Sequence, residues 1–402
     1  AIEDLVGMLD SLAVSPTGVG GRSPWIGTDT KRVRAILEQV GCRLPAASGD
    51  PGIAAFLLDS SGARTLDAMS LRFGLAEVPS WEDLAGRGAK RVLAEKLPLA
   101  DLSVWAARHA CTVHALQSKL SSRLRDDGLW DLYQEVEMPL TRVLARMESA
   151  GVRVDSGLLA ALSKEYAGKL AAIETEIYRL AGEEFLVSSP KQLQVILFEK
   201  LRLPVIKKTK TGYSTAEDVL EQLSAHHELP GMVLEWRKLS KLKSTYVDAL
   251  PVLVSPHTGR IHPNFNQAGA ATGRLSASNP NVQNIPIRTD EGVRIREAFV
   301  PAEGCVLVSA DYSQAELRIL AHYSGDENLV EAFQQGEDIH RRTAAEVAGI
   351  APEEVDEQAR KLREKIVDRY MKTTTTTTAN DTTTTDDKCA TSAAAAAPLP
   401  SY

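Results

Sequence analysis

Between Glu135 and Leu250 apolar residues recur three and four positions apart, the spacing that keeps one helical face dry. EMPLTRVLARMESAG (137–151) predicts one such helix, stopped by Gly151. Asp155 then stands where an N-cap belongs for the long amphipathic run SGLLAALSKEYAGKLAAIETEIYRLAGEE. Upstream, after the Gly/Ser/Pro-rich stretch SPTGVGGRSPWIGTD, KRVRAILEQVG and GIAAFLLDSSG predict shorter helices. From 251 to about 300 the pattern changes. VSPHTGRIHPNFNQ and NVQNIPIRTDEGVRIREAFVP carry turn residues and an alternation suited to strands, so the fold class expected is multidomain α+β. CVLVSAD (305–311) is a short apolar run with β-branched residues that follows Gly304. It predicts a buried strand with Asp311 at its carboxyl end, leading into a helix over SQAELRILAHYS.

The carboxyl-terminal stretch differs from all of this. EEVDEQARKLREKIVDRYMK predicts a charged helix, but the runs Thr373–Thr378, Thr382–Thr385 and Ala393–Ala397 cannot furnish a varied apolar core. This tail is expected to be disordered, and a frameshifted or artificial ending fits it better than a functional module.

Composition narrows the classes. A chain of 402 residues, 44% hydrophobic and 25% charged, has room for two or three globular domains. Its four cysteines are scattered with no CxxC pair, which argues against a disulfide framework or a structural zinc and suits a reducing cytoplasm. No run approaches the roughly 18 apolar residues of a membrane span, so no membrane partner is expected. The first residues lack a basic leader and an initiator Met, as the interior of a longer polypeptide would. The net charge is −7, yet residues 188–300 hold 15 Lys plus Arg against 10 Asp plus Glu. A phosphate backbone responds to that local excess, although a solvated basic face would show the same count.

A carboxylate at the end of a buried strand either caps the following helix or helps to hold a hard cation such as Mg²⁺, which takes oxygen ligands and keeps sites for water and phosphate. Spacing leaves both open for Asp311. The surrounding residues carry a resemblance that favours the cation. ATGRLSASNPNVQNIPIRTDEGVRIREAFVP, followed by DYSQAELRILAHYSGDENLVEAFQQGEDIHRRTAAEVAG, resembles the palm and early fingers of the family A DNA polymerases, the bacterial DNA polymerase I type. The likeness extends upstream through SPKQLQVILFEKLRLPVIKKTKTGYSTAEDVLEQL and RKLSKLKSTYVDALP, which resemble the family's thumb.

The resemblance implies a DNA-templated DNA polymerase of replication and repair that acts on primer-template DNA and deoxynucleoside triphosphates, as a monomer in the bacterial cytoplasm, associated with the nucleoid. Asp311 matches the aspartate that binds both catalytic Mg²⁺ ions, about 4 Å apart. Glu316 matches the steric-gate glutamate, which fills the space a ribose 2′-hydroxyl would need. Tyr312, Gln314 and His340 match nucleotide-site positions, the imidazole approaching the triphosphate. Lys207, Lys208 and Lys210 match a mobile thumb tip that tracks the duplex backbone. Arg274, Gln283 and Asn284 match positions near the primer-template minor groove, where acceptors common to all base pairs allow sequence-independent readout. The spacing itself adds that Arg237 and Lys241, four residues apart, project from one helical face opposite an apolar stripe of Leu239, Leu242, Tyr246 and Leu250.

The domains expected are a degenerate 3′–5′ exonuclease-like, RNase H-like α/β domain over 1–134, a helical thumb over 135–260, a partial palm and start of the fingers over 261–350, and the aberrant tail over 351–402. The exonuclease-like part is expected to be dead. Val33 stands where the family has its second-motif aspartate, Trp105 and His109 replace the third-motif tyrosine and aspartate, and no DxE occurs before residue 27. At the other end the fingers helix RxxxKxxxFxxxYG and the later HDE motif, with its second metal-binding aspartate, are both missing from these residues. The chain is therefore truncated within the fingers relative to the family. Two readings follow: a polymerase by family whose site is incomplete here, or a catalytically inactive fragment that binds primer-template DNA.

Overall fold

The structure is a computed structural model that describes residues 25–355 apart from 43, 210, 211, 288 and 349. The helix expected over 353–372 and the Thr/Ala tracts lie almost entirely outside the described residues, as do the first 24. The architecture is α+β and rich in helix, and it divides between Leu307 and Val308 into two units.

The first unit opens with β1 (Trp25–Ile26), α1 (Thr30–Gln39), β2 (Ala47–Gly49), which pairs parallel with β1, and α2 (Pro51–Leu58). Then come α3 (Leu66–Arg72) and the long α4 (Leu99–Asp126). Apolar residues of α2, α3 and α4 meet in one core around Met69, Phe73, Leu116, Leu120, Leu124 and Tyr133. Tyr133 is fully buried, and its hydroxyl accepts the Asp50 amide at 2.7 Å and lies 3.2 Å from Gln117 Oε1. Burial pushes its pKa up to about 12, so it remains a neutral donor. Asp50 beside it caps α2 and accepts from the amide and hydroxyl of Thr30. Burial nevertheless raises its pKa, because desolvation outweighs those bonds.

Helix α5 (Met138–Ala150) ends at Gly151, where φ is +60° and a Cβ would stand 2.6 Å from the Ile261 carbonyl oxygen. Only glycine suits that turn. It delivers β3 (Val152–Val154), the middle strand of a small antiparallel sheet whose edges are β6 (Arg260–Ile261) and β9 (Phe299–Val300). Helix α6 (Ser156–Ala181) is capped by the Asp155 carboxylate on the Leu158 amide at 2.9 Å and stops at left-handed Gly182. Its buried face, Leu159, Leu162, Tyr166, Ile173 and Ile177, forms a second core with α7 (Glu217–Leu223) and α8 (Glu228–Leu242). Between α6 and α7, β4 (Lys208–Thr209) and β5 (Gly212–Tyr213) pair antiparallel as a hairpin. Beyond α8, β7 (Asn264–Asn266) and β8 (Ser276–Ser278) form another.

Two expectations fail. Residues 290–297 form a helix, α9, where strand alternation is read. Val293 and Ile295 mimic a strand's period, but Thr289 caps the Gly292 amide, acids Asp290 and Glu291 sit in the first turn, and Arg294 and Arg296 close the last turn. The cap and the dipole-matched charges decide it. The second failure is CVLVSAD, which is neither strand nor buried: residues 305–312 take no regular structure, with Val306 80% and Val308 86% exposed. An apolar run becomes a strand only where neighbours accept its backbone hydrogen bonds, and among the described residues none pairs with it.

In the second unit lie α10 (Ala315–Ser324), α11 (Glu327–Gln334) and α12 (Ile339–Ala348). Arg342 of α12 joins Glu331 of α11 at 3.7 Å and Glu337 at 3.0 Å. Its buried apolar residues, among those described, are Ala321, Ala332, Ile339, Ala344, Ala345 and Val355, so little large side-chain surface leaves water.

Removing the Tyr133 hydroxyl leaves the buried Asp50 amide without that acceptor. Tyr133→Phe is expected to cost about 1–3 kcal/mol in urea unfolding, and an unchanged midpoint would place the Asp50–Tyr133 contact outside the folded core.

Candidate functional site

In the first unit the candidate DNA residues gather on short hairpins and one helix. At the β7–β8 hairpin Phe265 stands opposite Ala277, flanked by the pairs Asn264 with Ser278 and Asn266 with Ser276. The Phe265 amide donates to Glu148 Oε1 at 2.6 Å, and its carbonyl accepts from Lys31 Nζ at 2.8 Å. Lys31 and Glu148 are themselves paired at 2.5 Å. On the other strand the Ala277 amide donates to Gln283 Oε1 at 2.8 Å, while Gln283 Nε2 donates to the Leu275 carbonyl at 3.2 Å. Gln283 and Asn284 belong to a single 3₁₀ turn, Val282–Asn284, in which the Gln283 amide donates to Asn281 Oδ1 at 3.1 Å. Arg274 is exposed in the connection between the two strands. The structure thus brings Arg274, Gln283 and Asn284 to one hairpin and its following turn.

Helix α8 buries Leu239 and Leu242, and the stripe continues through Tyr246 and Leu250 beyond its end. Lys241 is exposed. Arg237 behaves differently from the projection expected of it. Its guanidinium is half-buried, donates to the Thr215 carbonyl at 2.6 Å, and reaches Thr215 Oγ1 at 3.4 Å. Burial lowers its pKa from the ordinary arginine value. Lys207 and Lys208 are exposed at the β4–β5 hairpin, Lys207 lying 3.9 Å from Asp218 and Lys208 over the Tyr213 ring; Lys210 lies outside the described residues.

The second unit holds the nucleotide-site candidates. Asp311 is exposed in irregular chain. It does not cap α10, because the N-cap is Gln314, a left-handed residue at φ 55° with no side-chain cap bond. Tyr312 is 90% exposed. Glu316 lies in the first turn of α10, where a carboxylate suits the helix dipole. His340 opens α12, with the Asp338 carboxylate accepting its backbone amide at 2.9 Å and that of Arg341 at 3.3 Å. Among the described residues no three His, Cys, Asp or Glu side chains come together as a cation site. A Mg²⁺ ion takes one or two carboxylates together with waters and substrate phosphates, so Asp311 would supply one ligand of such a site and not the whole of it.

The sequence model of DNA polymerase family A matches residues 156–368, more than half of the chain. The chain belongs to DNA polymerase family A. It is 46% identical to DNA polymerase I of Geobacillus stearothermophilus over 335 residues, 83% of this chain and 38% of that protein. It is 46% identical to the thermostable DNA polymerase I of Thermus thermophilus over 347 residues, 84% of this chain and 39% of that one. It therefore spans about two fifths of the length of these relatives. Among solved structures it resembles the POL domain of Pol1 from M. smegmatis in complex with DNA primer-template and dNTP, with a TM-score of 0.77 and 36% identity, covering 91% of this chain and 60% of that one. No helix of the described residues is long and apolar enough to cross a membrane.

Within the family A frame, Lys31 and Glu148 are the residues that sequence reasoning passes over. They lie 117 positions apart and look like ordinary helix-surface charges. Only the spacing of α1, with Lys31 on the side of buried Thr30 and Arg34, hints at an inward lysine.

Arg237→Ala removes a charged donor from the Thr215 carbonyl and is expected to lower stability by about 1–2 kcal/mol. Lys241→Ala, at an exposed position, is expected to leave it within about 0.5 kcal/mol. Equal urea midpoints for the two variants would show that Arg237 is free of Thr215 in solution.

Proposed function

We propose that these residues form the primer-template-binding part of a DNA-templated DNA polymerase of replication and repair. The observation that carries the reading is the likeness over 91% of the chain to a POL domain held in complex with DNA primer-template and dNTP. Family membership supports it. Lys207, Lys208, Lys210 and Lys241 meet backbone phosphates, which gives affinity without sequence preference. Arg237, drawn onto Thr215, acts chiefly by holding the thumb surface on which Lys241 is displayed. Arg274, Gln283 and Asn284 face the minor groove, and the two bonds that fix the Gln283 amide leave it one N–H to offer a base acceptor.

Nucleotide addition is assigned to the second unit by resemblance. Asp311 takes part in holding the catalytic divalent ions, Glu316 excludes a ribose 2′-hydroxyl, and Tyr312, Gln314 and His340 border the incoming triphosphate. Within these 402 residues that site is incomplete: the RxxxKxxxFxxxYG helix and the HDE carboxylate of the family do not occur in the sequence. The exonuclease-like part, with Val33, Trp105 and His109 at the family's catalytic positions, serves as scaffold without proofreading. Trp105 is engaged with its own neighbours, its indole donating to the Pro79 carbonyl at 3.0 Å with the His109 ring stacked 3.7 Å away. The protein is expected to act as a monomer in the bacterial cytoplasm.

Fluorescence anisotropy with a labelled primer-template tests the binding assignment. Lys207→Ala with Lys208→Ala and Lys241→Ala is expected to weaken all sequences equally and to reduce the slope of log K against log salt by about one for each phosphate no longer met by a lysine. Unchanged affinity and slope would refute the thumb surface. Mg²⁺-dependent shortening of a labelled 3′ end by the purified chain would refute the loss of proofreading.

A further inference from the structure

We propose that Lys31, through Glu148, is a positioning residue for primer-template binding: the ion pair takes the place of a third β-strand and fixes the hairpin that carries Arg274 and leads into Gln283. The inference rests on the functional reading above for its binding consequence, and on geometry alone for its structural one.

Phe265 and Ala277 face each other in a two-stranded antiparallel ladder. The N–H and C=O of Phe265 are both engaged away from Ala277, as happens at a non-hydrogen-bonded pair, whose backbone groups point outward from the ladder. In a wider sheet a third strand would meet them. Here Glu148 Oε1 accepts the Phe265 N–H at 2.6 Å and Lys31 Nζ donates to the Phe265 C=O at 2.8 Å, while Lys31 also reaches Asn264 Oδ1 at 3.3 Å. One carboxylate oxygen and one ammonium thus reproduce the acceptor and donor of a neighbouring strand, and they neutralise each other at 2.5 Å. Lys31 is 9% exposed. The pair is largely withdrawn from water, its side chains 11% and 13% exposed, so its bonds to Phe265 are little weakened by solvent.

The opposite edge repeats the device with a neutral side chain. The outward N–H of Ala277 goes to Gln283 Oε1, and Gln283 Nε2 returns to Leu275. The order Lys31, Glu148, Phe265, Ala277, Gln283 is therefore one continuous run of ladder and ladder-substitute contacts, from the family's exonuclease-like region to a candidate minor-groove residue. Two further bonds steady the same region: Gln267 Nε2 donates to the Glu137 carbonyl at 2.8 Å, and His262 Nδ1 lies 2.7 Å from the Glu148 carbonyl. This gives the exonuclease-like region a use that does not depend on metals or on cleavage.

The test compares wild type, Lys31→Met and Lys31→Arg by primer-template anisotropy across a salt series, with amide hydrogen exchange at Phe265 and Ala277. Lys31→Met is expected to bind about tenfold more weakly with an unchanged salt slope, since Lys31 itself touches no phosphate, and to exchange both amides faster. Lys31→Arg, which keeps a cationic donor, is expected to bind within about twofold of wild type. A slope lowered by about one would mean that Lys31 meets DNA directly and would overturn the proposal, as would wild-type affinity in Lys31→Met. If Lys31→Met does not fold, Glu148→Gln keeps an acceptor for Phe265 and removes only the charge; faster amide exchange there supports the clamp and unchanged exchange overturns it. If the wild-type chain binds no primer-template, the functional reading fails, and the exchange of Phe265 and Ala277 in Lys31→Met alone decides the clamp, faster exchange upholding it and unchanged exchange refuting it.

Discussion

The N–H and C=O of Phe265 point out of a hairpin too narrow to satisfy them, and the Lys31–Glu148 pair is what meets them. Unpaired backbone groups away from water are costly, so a fold built from strands of two and three residues must find partners for them outside the ladders. The first unit does so repeatedly. Arg260 Nη1 donates to the Ala150 carbonyl at 3.1 Å where α5 ends, and Gln283 closes the far edge of β8. The helices then supply the apolar mass, α6 against α8, and the β3–β6–β9 sheet joins it through Val154, Ile261 and Phe299.

The second unit shows the same constraint unmet. Val308 at its start has the residue type of a strand, and it stands in water because no ladder receives it among the described residues. Asp311 follows three residues on, in the same irregular backbone. Under the proposed role, a carboxylate there lacks the hydrogen-bonded strand that would preorganise a cation ligand. The DNA-site candidates of the first unit thus sit on or beside packed elements, while the nucleotide-site candidates of the second sit in irregular chain or on short helices with small buried residues.

The legible parts of this fold are those whose rules are local. Gly151 states the end of α5, and Asp155 with the three-four spacing of Leu159, Leu162 and Tyr166 states the start of α6 and its inner face. Residues 290–297 mislead because Val293 and Ile295 satisfy a strand's period, and the Thr289 cap outweighs it. CVLVSAD misleads for another reason: hydropathy says what needs covering and cannot say whether a cover is there. The Lys31–Glu148 pair is written nowhere in a window of the sequence, since it depends on how α1 and α5 meet. Of the candidate site, Asp311, Glu316 and His340 are named by the resemblance alone, whereas the turn of Arg237 onto Thr215 needs three dimensions.

On the proposed function, this chain holds primer-template DNA without completing nucleotide addition. A single-turnover primer-extension assay, with the purified chain in excess over a labelled primer-template and with all four dNTPs and Mg²⁺, tests it most directly. The account predicts that the DNA is retained in a complex on a native gel while the primer stays at its starting length. Template-directed lengthening of the primer by wild type, abolished in Asp311→Ala, would contradict it.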